Sequence, residues 1–278
     1  MARLLQTSPD YSQPCNTAPC HAWSDTAAWD AVALMREASV LGNDRQSITR
    51  ARAAYRFVQM SRAFSGGACG RIPYQVPQPS DKRVKTLETG ANMTKAALLL
   101  YGATHDRSYL DQAIQRYAVD RTLFLDPNVP LYTVHLIDDG LQCRQVPHRF
   151  FASVNGDMIW NGVRLWQYTG QRHFYDEAPS TAQAVDLDLS DASGVFVDVQ
   201  GENDVVEPLV EAMYELAVQE HVGFARDWIG ATRMQLFRRV RRMVRSRAYL
   251  MDRHRPRRRF GNPTVVLHWR LLQRRSIR

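Results

Sequence analysis

An all-α fold, an α/α toroid built from helical hairpins, is what the sequence predicts. Three observations lead there. A phrase recurs at a spacing of 65 residues. Each copy joins a helix that is apolar nearly all round to one with a polar face. Long loops rich in Gly, Pro and aromatic residues separate the copies.

The repeat is clearest between LLLYGATHDRSYLDQAIQRYA (98–118) and VRLWQYTGQRHFYDEAPSTAQAV (163–185). Tyr101, Thr104, Tyr109 and Asp111 pair with Trp166, Thr169, Phe174 and Asp176. Both copies read as a buried helix, a tight polar turn and an amphipathic helix. A looser copy, ALMREASVLGNDRQSITRARAAY (33–55), turns at Gly42, and a fourth begins near Asn203. About four hairpins are therefore expected. Buried inner helices alternating with half-exposed outer ones imply a toroid of the (α/α)6-barrel type, with an ordinary solenoid as the alternative. The loops 66–83 and 125–151 should form the rim. TVHLIDDG is expected to hold one short strand, and no sheet is expected otherwise.

The organisation that follows is an irregular segment at 1–22, the toroid domain at 23–232 and an arginine-rich tail at 233–278. The net charge of +8 is unevenly spread. The tail holds 16 arginines, no lysine and one acid, for +15, while residues 1–232 hold 20 bases and 27 acids, for −7. The tail reads in two ways. A frameshifted translation of a GC-rich gene would give such a segment, since the chain has 33 arginines and 3 lysines and the repeat stops abruptly near 230–233. A genuine basic arm would instead bind nucleic acid or a membrane surface.

No apolar run approaches the roughly 20 residues of a membrane span, and no secretory signal is visible at the N-terminus. Cys15, Cys20, Cys69 and Cys143 offer no second ligand pair to a zinc site, so no metal or cofactor is expected. A disulfide between Cys15 and Cys20 and free thiols both remain open.

The residues that open the inner helices carry the chemistry. They include Trp23, Asp25 and Trp29 in the first hairpin and Glu88 and Asn92 in the second. The third contributes Asn155 and Asp157, and the fourth Asn203 and Asp204. Such residues cap helices and complement the helix dipole. Stretches such as ETGAN and GENDVVE hold more polar groups than capping requires. In a toroid the inner helices run parallel, so these starts converge at one mouth. Carboxylates, amides and indoles gathered there suit a sugar, whose hydroxyls hydrogen-bond while its ring face stacks. Glycosidic cleavage commonly uses two carboxyl groups. Asp25 is the first candidate. Asp138 and Asp139 are the only adjacent Asp-Asp pair; Asp139 is the second catalytic candidate and Asp138 a sugar-binding one, although Asp-Gly is also ordinary turn chemistry.

With those residues assembled, the chain resembles family 76 of the glycoside hydrolases, the endo-α-1,6-mannanase-like toroids. The resemblance covers roughly residues 22–232. It rests on WSDTAAWDAVALM, the two helix-turn phrases, LIDDG and ASVNGDMIWNGVRLW. Family members use an adjacent Asp pair, in Asp-Asp-x-x-Trp-Trp, as nucleophile and general acid/base. Laid on this chain, the first Asp falls on Asp25, the second on Thr26, and the second Trp on Asp30. The resemblance implies a glycosidase acting outside the cytoplasm, as a monomer, on an α-linked mannan-type polysaccharide. The substitution at Thr26 keeps a non-catalytic glycan-binding toroid open as the alternative.

Overall fold

The computed structural model describes residues 11, 24–60, 66–72, 84–191 and 205–233. Cys15, Cys20, Trp23, Asn203, Asp204 and the tail beyond Arg233 lie outside the described residues.

Four helical hairpins make up the described chain. They are α1 (Ser24–Val40) with α2 (Arg45–Met60), α3 (Leu87–Thr104) with α4 (Arg107–Phe124), α5 (Ala152–Thr169) with α6 (His173–Asp188), and α7 (Glu207–Tyr214) with α8 (223–233). Each of the first three pairs packs mainly within itself. The first helices also pack in succession, α1 on α3, α3 on α5 and α5 on α7. The burial follows the sequence pattern. In α5 the helix is buried from Ala152 through Val163, whereas α4 buries a single stripe of Leu110, Ala113, Tyr117, Asp120 and Phe124.

The repeated phrase has a repeated physical job. Thr104 Oγ donates to the Leu100 carbonyl at 2.7 Å and accepts the Asp106 N–H, and Thr169 does the same with Leu165 and Gln171. The helices then stop in left-handed conformations, at His105 (φ 57°) and Gly170 (φ 72°). Arg107–Asp111 and Arg172–Asp176, each at 2.9 Å, brace the next helix across one turn. α7 ends differently. It passes into a π-turn, Glu215–Gln219, and His221 (φ 58°) reverses the chain.

Three starts lie at one end. The Leu87 N–H donates to the Val134 carbonyl, and the Val134 N–H donates to the Arg149 carbonyl, so one loop joins the entries to α3 and α5. At the far end Tyr101 and Tyr168 meet edge to face at 5.0 Å, which makes α3 and α5 parallel. Gly156 brings in α7: a Cβ there would lie 2.5 Å from Leu209 Cα.

One expectation needs correcting. The rim carries a three-stranded antiparallel sheet rather than a single strand, in the order β1 (Val84–Thr86), β2 (His135–Asp138), β3 (Cys143–Gln145). Lys85 pairs with Leu136, and Leu136 with Gln145. Strands of three or four residues make too little periodicity to be seen in sequence; β2 and β3 form a short local hairpin, and β1 joins it from about 50 residues earlier.

Gly156→Ala should separate α7 from α5, because the obstacle is backbone and cannot rotate aside. A loss of about 1–3 kcal/mol or more is expected in urea unfolding. Unchanged stability would mean that the two helices do not make this close approach.

Candidate active site

Asp25 sits in the first turn of α1, partly exposed, and accepts the Thr26 N–H at 2.7 Å. Trp29 follows one turn later and is half-buried, so carboxylate and indole share a helix face. Asp30 is turned to another partner, the Tyr11 hydroxyl. In α3, Glu88 is half-buried in the first turn, and the cap Thr86 accepts its N–H at 3.2 Å. Asn92 is buried; its Nδ2 donates to the Glu88 carbonyl, while its Oδ1 and the Thr89 hydroxyl have no protein partner.

The other candidates are engaged inside the structure. Asn155 clamps the rim. Its Oδ1 accepts the Tyr132 N–H at 2.8 Å, and its Nδ2 donates to the Tyr132 and Phe151 carbonyls. That use fills the amide and leaves it buried, away from any solvent-facing rim. Asp138 accepts the N–H groups of Ala68, Cys69 and Gly140 at 3.0–3.1 Å. Burial pulls its pKa up, but those three donors and Lys85, 3.8 Å away, hold it below the ordinary carboxylate value. Gly67 (φ 148°) permits the approach, since a Cβ would overlap the Asp138 carboxylate.

Asp139 accepts the N–H groups of Gln142 and Leu141, and Arg144 lies at 3.3 Å. Its pKa is lowered by Gln142 and Leu141 first, with a further pull from Arg144. A carboxylate held ionised in this way suits a turn and is poorly placed to donate a proton. Two adjacent acids thus organise a loop and a hairpin.

The loop that Asp138 holds is also covalently tied. Cys69 and Cys143 form a disulfide with Cα atoms 4.8 Å apart, closing 74 residues. Lys85 Nζ donates to the Gly70 carbonyl at 3.2 Å. Rim loop and sheet are one unit.

A polar cluster at the centre of the inner helices was not foreseen in full. Lys95, 1% exposed, lies 2.9 Å from Asp157 and 2.7 Å from Glu211, joining α3, α5 and α7. Arg36 of α1 also pairs with Glu211, and Arg164 pairs with Glu215 at 3.0 Å. Three cations surround one indole: Arg36, Lys95 and Arg164 lie 5.2–5.3 Å from the centre of the Trp160 ring. Burial raises the pKa of Asp157, and Lys95 opposes that rise. Asp157 is therefore an internal counter-ion. The signal in the sequence was Lys95 itself, one of only three lysines, set in the apolar run NMTKAALLLY. Among the described residues no three His, Cys, Asp or Glu groups are placed to hold a metal, and no helix is long and apolar enough to cross a membrane.

Solved structures place this architecture. The α-1,6-mannanase of Salegentibacter sp. HEL1_6, in an inactive variant with two consecutive aspartates changed to asparagine and bound to α-1,6-mannotriose, superposes with a TM-score of 0.65 at 20% identity, over 75% of this chain and 61% of that one. The chain shares the helical-hairpin fold of the family 76 α-mannanases. A second such enzyme, from Bacteroides thetaiotaomicron, gives a TM-score of 0.62 at 18% identity, over 75% of this chain and 55% of that one. A D-mannose isomerase gives 0.57 at 12% identity, over 75% and 57%. The chain thus spans about 60% or less of the length of these structures. No family model matches the chain, and no curated protein does either.

Replacing Lys95 with Met should leave Asp157 and Glu211 facing each other without their shared cation. A loss of about 3–5 kcal/mol is expected in denaturant unfolding; a neutral result would contradict the bridge. Cys69→Ser should cost about 4 kcal/mol on the chain-entropy view of a loop of this size, read as a lowered Tm that reducing agent reproduces in the wild type and leaves unchanged in the variant.

Proposed function

We propose that the protein is glycoside-hydrolase-like and acts on an α-linked, mannan-type polysaccharide. The observation that carries this reading is the hairpin architecture shared with the α-1,6-mannanases, together with the Asp25 carboxylate and Trp29 indole on one face of α1. Asp25 is the catalytic carboxylate in this reading. Trp29 stacks on a sugar ring, and Glu88 and Asn92 receive hydroxyls from the start of α3. Asn92 Oδ1 and the Thr89 hydroxyl, buried without a protein partner, are the kind of groups that a bound hydroxyl or water satisfies.

One observation favours a second reading, glycan binding without hydrolysis. Retaining cleavage needs a nucleophile and a separate proton donor. The residue after Asp25 is Thr26, whose hydroxyl is far too weak an acid, and Asp139 is held ionised in its turn. The mannanase of the solved complex is inactive when its two consecutive aspartates are both asparagine. The disulfide supports action outside the reducing cytoplasm.

Release of reducing ends from α-1,6-mannan decides between the readings. The wild type should release them, and Asp25→Asn should fall by on the order of 100-fold or more. Equal activity in the variant would remove Asp25 from the chemistry. Saturable binding of mannan oligosaccharide by both proteins, with no cleavage by either, would establish the second reading.

A further inference from the structure

Asp120, on the inward stripe of α4, is 0% exposed, and neither of its carboxyl oxygens has a hydrogen-bond partner. Buried carboxyls are ordinarily bonded or ion-paired. This one faces Gly90 of α3, where a Cβ would lie 2.6 Å from Oδ2. The glycine makes the room, and the carboxyl fills it.

α4 packs against α3 and α5, touches α2 through Tyr55 and Tyr109, and touches α6 through Tyr117 with Phe174 and the Arg121–Glu177 ion pair. The one charge that acts on the carboxyl is Arg116, one turn back on α4 itself; no charged group of α2, α3, α5 or α6 does so, and the α6 carboxylate that meets this helix, Glu177, is paired with Arg121. Burial raises the Asp120 pKa to about 7, with Arg116 opposing. An ionised carboxylate here would have neither water nor a donor to stabilise it.

We propose that Asp120 is a proton-operated lock on the α3–α4 hairpin. The neutral acid fits against Gly90 and leaves the hairpin closed. Loss of the proton drives the carboxylate towards water and loosens the opening turns of α3, which carry Glu88 and Asn92. The lock does not depend on what those residues bind.

The direction follows from linkage. The folded-state pKa lies above the unfolded one, so the stabilisation is complete below the unfolded value near 3.8, declines as pH rises, and is gone above about 7. Urea unfolding of the full chain between pH 5 and 8 tests this, in the wild type and in Asp120→Asn. Relative to the variant, the wild-type unfolding constant should rise about tenfold per pH unit from pH 5 to 7 and then level off. Parallel pH profiles would overturn the lock. Should the variant not fold, carboxyl carbon titration of the folded wild type decides: an aspartate with a midpoint near 7 is expected, and all midpoints below 5 would overturn the proposal. Amide exchange, corrected for its intrinsic pH dependence, should show residues 87–95 opening faster at pH 8 than at pH 5. A change spread evenly over all the helices would contradict a local lock.

Discussion

The Lys95 ammonium is the constraint on which the inner helices depend. It lies among α3, α5 and α7 with Asp157 on one side and Glu211 on the other. A charge this deep is tolerable only when it is paired on all sides. The pairing therefore dictates how the helices approach. It fixes the rotation of α5, since Asp157 must face α3, and that of α7, since Glu211 must face inward. Trp160 sits within the same cluster, with three cations 5.2–5.3 Å from the centre of its ring. Hydrophobic burial drives these helices together; the ion network selects one arrangement among the many that apolar surfaces would allow.

A second device works at the rim. Asn155 fastens the loop at Tyr132, while Asp138 and the Cys69–Cys143 disulfide fasten residues 67–70 to the sheet. Loops of this length would otherwise carry a large conformational entropy. Fixing them leaves the start of α3 rigidly mounted, with Glu88 and Asn92 in its first two turns. Polar residues that resemble ligand-binding groups have here become the framework that holds such groups in place.

The repeat was readable because it is local. Thr104 and Thr169, and the arginine–aspartate braces that follow each, act within five residues, so their spacing survives in the sequence. The hairpins and their buried and half-buried faces follow from the same short-range pattern. What could not be read depends on distant partners. Lys95 and Asp157 are 62 positions apart, and Cys69 and Cys143 are 74. The sheet joins strands on either side of a whole hairpin. An asparagine near a helix start looks alike whether it meets a sugar, as proposed for Asn92, or clamps a backbone, as Asn155 does. Asp138 and Asp139 were ambiguous for the same reason, since N–H groups 69 and 70 residues earlier decide the environment of Asp138 and neighbouring turn amides decide that of Asp139.

The central proposal is that the inner-helix starts bind a glycan through Asp25 and Trp29 of α1 and Glu88 and Asn92 of α3. A crystal structure of the full chain with α-1,6-mannotriose tests it most directly. The account predicts sugar density against the Trp29 indole, with hydroxyls within hydrogen-bond reach of Asp25 and Glu88. Sugar bound elsewhere on the protein, or none bound at millimolar concentration, would contradict it.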